Sequence, residues 1–203
     1  MRKDVLAGVG VGAALLGGAA FYYFREKAAE EADYRALESE GDYQLRDYPA
    51  LTVAETVIRG PRKEALKEGY RLLSDYLEVA GLSLAVPVVQ DSGDPMASDP
   101  PLFDDDLEGA WRTRFVMPAD RVAADLPEAP EGVDLVNLPA RKVAAVSFSG
   151  RATDALLAAQ EDRLRGWLAK RGERSAGQPE YAFYNSPLIP GPLRRNEVWL
   201  AIS

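Results

Sequence analysis

The chain predicts an α+β fold built from a strand–helix–strand–strand unit that occurs twice. The strands of both copies join one distorted, barrel-like sheet with two helices packed outside it, and a transmembrane helix precedes the whole. Three observations carry this expectation. Sliding the chain against itself by 90 residues pairs Pro49 with Pro139, Ala50 with Ala140, Val53 with Val143, Ala54 with Ala144 and Gly60 with Gly150, without a gap. Both copies then continue into a helix of roughly twenty residues, stopped by Gly81 in one and Gly172 in the other, as left-handed C-terminal caps favour. Finally, Val5–Phe24 is an uninterrupted uncharged run.

In chain order, the run 5–24 is long enough to span about 30 Å as a helix, the thickness of a bilayer core. The aromatic cluster Phe21, Tyr22, Tyr23 and Phe24 at its end suits a headgroup interface. We read 1–24 as an anchor or uncleaved signal in the lipid bilayer, single-pass in a bacterial inner membrane, with the folded domain external. A cleaved signal peptide is the competing reading, because Gly18 and Ala20 are small enough for a cleavage site. Residues 25–40 are strong helix formers without an apolar stripe and read as a helical or flexible linker. The domain then runs over 41–203, with pseudo-repeats at 44–117 and 134–202 related by an approximate two-fold rotation.

In the first helix Pro61 suits the opening turn, and Leu66, Tyr70, Leu73 and Leu77 recur at helical spacing. Two strands follow, Leu82–Gln90 and Ala110–Met117. The stretch 91–110 between them holds seven acids and no base, which reads as a long solvated loop. It lacks the regular alternation of a calcium-binding loop. In the second half Leu157, Leu164 and Leu168 make the helix stripe, with Trp167 beside it, before strands at Glu180–Ser186 and Glu197–Ile202.

Composition removes whole mechanisms. There is no histidine and no cysteine in 203 residues, so a catalytic triad, a thiolate nucleophile, a structural zinc site and imidazole or thiolate ligation of iron are all excluded. The net charge of −8 is local: without the seven acids of 91–110, 25 acids face 24 bases. No basic face stands out, which argues against nucleic acid as a partner.

The tail carries the most information. Tyr181 and Phe183, then Val198, Leu200 and Ile202, alternate as two half-buried strands around a proline-rich corner and the run Arg194-Arg195-Asn196-Glu197. That run either grips a ligand carboxylate with its arginine forks or pins its own loop through internal ion pairs. The segment resembles the closing hairpin of the SOUL/haem-binding protein family. Tyr43-Gln44-Leu45-Arg46-Asp47-Tyr48, Trp111-Arg112-Thr113-Arg114-Phe115 and Leu138-Pro139-Ala140-Arg141-Lys142-Val143 are similar to further strands of that family, in the right order. Leu84-Ala85-Val86-Pro87-Val88 departs from it, lacking the family's methionine and threonine.

The resemblance implies haem or another porphyrin, bound without covalent attachment in a hydrophobic cleft beside the first helix. Leu66, Tyr70, Leu73 and Leu77 would line that cleft, Val86 and Ile189 would complete it, and Lys67 would meet a propionate at the rim. Tyr70 could alternatively ligate ferric iron. Each of these residues could instead be ordinary core or surface. Two other functions stay open: a module for other flat hydrophobic molecules, and an enzyme acting on a tetrapyrrole or small ester by carboxylate chemistry.

Overall fold

A computed structural model describes residues 31–93, 109–118, 121 and 123–202. Nine strands form one sheet: β1 Arg35–Glu40, β2 Tyr43–Tyr48, β3 Leu51–Arg59, β4 Val88–Ser92, β5 Ala110–Val116, β6 Asp134–Leu138, β7 Arg141–Ser149, β8 Ser175–Phe183 and β9 Arg195–Ile202. Helix α1, Arg62–Ala80, follows β3, and helix α2, Asp154–Lys170, follows β7. The order across the sheet is β1-β2-β7-β9-β8-β4-β5-β3-β6, and every ladder between these strands is antiparallel.

Leaving β1 aside, that order is unchanged when the first-half strands β2, β3, β4 and β5 are exchanged for β6, β7, β8 and β9. The symmetry axis passes between β4 and β8, where Val88 pairs with Phe183 and Gln90 with Tyr181. Strands β3 and β7 start and end 90 residues apart, the spacing of the sequence repeat. Gly60 and Gly150 end them with φ of 125° and 117°, a backbone that L side chains rarely adopt. Gly81 and Gly172 both take the left-handed conformation past their helices.

Each helix covers the outer face of its own half. Leu73, Tyr76 and Leu77 of α1 pack on Ala54, Val88 and Phe115. Leu157, Leu164 and Leu168 of α2 pack with Tyr181, Val198 and Leu200, so the alternation read in the tail is the α2-facing side. On the opposite face Tyr48, Val53, Val89 and Val116 of the first half meet Val143, Ala182 and Trp199 of the second in one cluster, so the sheet curls across its inner face.

Three expectations need correction. No ladder joins the end strands β1 and β6, so the sheet is curled but open rather than closed as a barrel. Residues 35–40, expected within a helical or flexible linker, form strand β1. Its side chains are all exposed, though Arg35 pairs with Asp47, Glu38 with Arg171, and Glu40 accepts from Trp167 Nε1; with these ties, pairing with the otherwise free edge of β2 through the turn at Gly41 overrides helix propensity. The expected solvated loop 91–110 is also shorter. Asp91 and Ser92 belong to β4, and buried Asp91 accepts hydrogen bonds from Arg112 and Arg114. Residues 94–108 of that loop, and the proposed anchor 5–24, lie outside the described residues. Among those described, no helix is long and apolar enough to cross a membrane.

Candidate functional site

Helix α1 is drawn close to the sheet by Gly69. A Cβ there would sit 2.7 Å from Thr113 Oγ1 and 3.0 Å from its Cβ. The start of α1 is fixed by buried Arg62, whose guanidinium donates to Asp154 (2.6 Å), to Gln90 Oε1 (3.0 Å) and to the carbonyl of Ala152 (3.2 Å). The two helix beginnings are thereby tied together.

This seating sorts the α1 residues singled out by the sequence. Leu73 and Leu77 are fully covered by the sheet, and Leu66 is half-buried at the margin of the same cluster. Lys67 is exposed. Tyr70 is 44% exposed, and its ring stands edge-on to Phe115 with centroids 5.3 Å apart. Tyr70, Lys67 and Leu66 therefore offer a surface, with Leu73 and Leu77 behind it. Val86 packs with the inner-face cluster, and Ile189 is fully buried in the loop between β8 and β9. The seven residues do not converge on one cleft.

The inner face holds what the sequence reading did not assign: a buried carboxylate hub. Glu197 on β9 accepts from Arg46 at 2.6 and 3.0 Å, Arg195 at 2.8 and 3.1 Å, Trp199 Nε1 at 2.7 Å, Tyr184 Oη at 2.9 Å and Ser147 Oγ at 2.9 Å. Burial alone pushes the Glu197 carboxyl up. Hydrogen bonds and charge from Arg46, then the charge of Arg195, overcome it and hold the group at about 2. Burial, reinforced by the Glu197 charge, pushes the Tyr184 phenol far up. Tyr34 lies over the Arg46 guanidinium at 4.3 Å and Tyr184 over that of Arg195 at 3.8 Å.

Arg195 also grips Glu31 with two bonds of 2.9 and 3.0 Å, which straps the incoming chain onto the sheet. Beside it an open hollow of about 330 Å³ is lined by Asp42, Ser147, Phe148, Ser149 and Arg195. A second inner-face network joins Asp91 to Arg112 and Arg114, Arg114 to Glu55, and Arg141 to Glu180. Both networks are paired arginine to carboxylate, so they serve as internal ties. The Arg194–Glu197 run accordingly pins its own loop, the second of the two readings. The signal for the hub was present in Arg46, Tyr48, Glu197 and Trp199, but their convergence spans about 150 residues of sequence and depends on β2 lying beside β7.

Among the solved structures that share this fold are the following three. The C-terminal domain of EcmrR is 13% identical, covering 84% of this chain and 98% of that one, with a TM-score of 0.60. An uncharacterized conserved protein from Listeria innocua is 12% identical over 88% of this chain and 96% of its own, with a TM-score of 0.56. A hydrolase from Listeria innocua is 11% identical over the same shares, at 0.53. No curated protein sequence matches the chain. The strand motifs, the tail up to Ala201 and the arginine–glutamate hub they build fall within residues 29–201, which match the model of the SOUL heme-binding protein, and the chain belongs to that family.

Proposed function

We propose that the domain binds haem or another tetrapyrrole against the exposed side of α1, in a protein held at a bacterial inner membrane by Val5–Phe24 with the domain external. The observation that carries this reading is the family match over nearly the whole folded region. With no histidine or cysteine in the chain, haem would be held by tyrosinate, by water or with no ligand to its iron, and Tyr70 presents a phenol at the surface. Met117 is buried in the cluster beneath α1, so its thioether faces away from solvent.

Haem would bring the redox or sensing chemistry of its iron; the chain contributes affinity and orientation. Tyr70 and Leu66 would supply apolar contact for a flat ring, with Leu73 and Leu77 behind that surface, and exposed Lys67 would meet a propionate. The repeated unit and the exchange symmetry of the sheet favour reading 44–117 and 134–202 as copies of one ancestral segment.

The test is a haemin titration of the full chain in detergent or vesicles, followed at the Soret band. Saturable binding without the low-spin bands of bis-histidine or thiolate haem is expected. Tyr70→Phe separates the roles of that residue: a shifted band means ligation, an unchanged band means contact. Lys67→Ala should weaken binding by no more than about fivefold, because a rim ion pair in solvent contributes little. If haemin does not saturate at micromolar concentration while other flat hydrophobic dyes do, the site is a general hydrophobic-ligand module.

A further inference from the structure

We propose that the loop between β8 and β9 is a lipid-contact knuckle that seats the domain on the membrane surface beside its own anchor, an inference that rests on the anchor reading of Val5–Phe24. Pro187, Leu188, Pro190, Pro192 and Leu193 are all exposed on this one loop. Leu188 is 68% and Leu193 55% exposed. A single exposed leucine is ordinary, but two leucines and three prolines at one tip make a contiguous apolar projection.

The loop cannot fold these side chains away, because it is locked from inside. The Arg194 guanidinium donates to the carbonyls of Ile189 (2.7 Å) and Pro187. Asn185 Oδ1 accepts from the Arg195 N–H at 2.7 Å, and the Gly150 N–H donates to the Gly191 carbonyl at 3.1 Å. Ile189 is the buried plug at its centre. A tip ordered before contact loses little entropy on insertion. One exposed cation, Arg151, packs along Gly191 at its edge and suits an anionic headgroup layer.

The chain path places this tip near the bilayer. Glu31 is clasped by Arg195, one residue beyond the loop, and bridges Val86. Val88 in turn pairs with Phe183, the last residue of β8, so the incoming chain and the loop share one end of the sheet. Phe24 is seven residues before Glu31, a reach of at most about 25 Å even when fully extended.

The chain has no cysteine, so single substitutions Leu188→Cys, Leu193→Cys and Val79→Cys can each carry one environment-sensitive fluorophore. Val79 is 83% exposed and serves as the reference, lying about 25 Å along α1 from its beginning. In the full chain reconstituted into vesicles of phosphatidylethanolamine and phosphatidylglycerol, emission from positions 188 and 193 should shift to the blue and be quenched by lipids carrying a nitroxide near the headgroup. Position 79 should do neither. If the protein resists carbonate washing but both loop probes report water as position 79 does, the knuckle is wrong and the anchor stands. If carbonate strips the protein from the vesicles, the anchor reading fails and takes this inference with it. A blue shift that grows with protein density and ignores the nitroxide lipids would mean that the loop docks on another protein, which also overturns the lipid assignment.

Discussion

Glu197 is fully buried, and so is its partner Arg46, at 1% exposure. Removing one member of such a pair leaves an uncompensated charge in the interior, so Glu197→Gln should cost about 3–5 kcal/mol in urea denaturation. Arg46→Met combined with Glu197→Gln should cost less than the two single changes summed, because neither charge is then stranded. The same group sets an acid limit. Its folded-state pKa lies near 2 against 4.5 when unfolded, so its stabilising effect is fully present above about pH 4.5 and lost as the pH falls toward 2. That amounts to about 3 kcal/mol. Asp91 acts with the opposite sign. Burial outweighs its arginine partners and raises its pKa, so acid relieves a cost there. Stability of the Glu197→Gln variant against wild type, measured from pH 6 to pH 2.5, isolates the Glu197 share: the gap should narrow steadily below about pH 4.5.

At the scale of the element, α1 shows packing overruling propensity. Alanine is the better helix former than glycine by about 1 kcal/mol. At position 69 its methyl group would collide with Thr113, a stiff β-branched side chain on β5, and press on Thr56 of β3. Gly69→Ala should therefore destabilise by about 1–3 kcal/mol, seen as a lower thermal midpoint, and should move Tyr70 relative to Phe115. A Gly69→Ala protein as stable as wild type would mean that α1 rides further from the sheet than described. Strand β1 makes the complementary point. Its residues favour a helix and bury nothing, yet the open edge of β2 recruits them.

Across the whole molecule the halves are interlocked rather than adjacent. β2 pairs with β7, and β6 pairs with β3, so each half lends its leading strand to the other. The hub repeats this, with Arg46 from the first half closing on Glu197 from the second. Neither half can complete its sheet alone, so urea unfolding should be a single transition. Trp167 on α2, Trp199 on the inner face and Trp111 on β5 give a fluorescence signal that should coincide with the loss of circular dichroism. Two separated transitions would show that the halves unfold independently. Because most of these pairings join distant segments, refolding should take milliseconds to seconds rather than microseconds.

The sequence alone carried the repeat, its 90-residue period, both helices with their glycine stops, the α2-facing alternation of the tail and the family. These are local patterns: side-chain period, cap chemistry and motif spacing are all written in neighbouring residues. The composition likewise limited the iron chemistry without reference to any fold. Tertiary structure alone decided which apolar residues remain available. Leu73 and Tyr70 lie on the same helical stripe, yet Gly69 lets the helix sink until the first is covered and the second stays at the surface. It also decided that Asp91 leaves the acidic loop for the interior, since two arginines from β5 await it there. The convergence of Arg46, Tyr184, Arg195 and Trp199 on Glu197 follows from which strands lie side by side. Strand order is fixed by burial and hydrogen-bond satisfaction over the entire sheet, and no window of the sequence contains that sum.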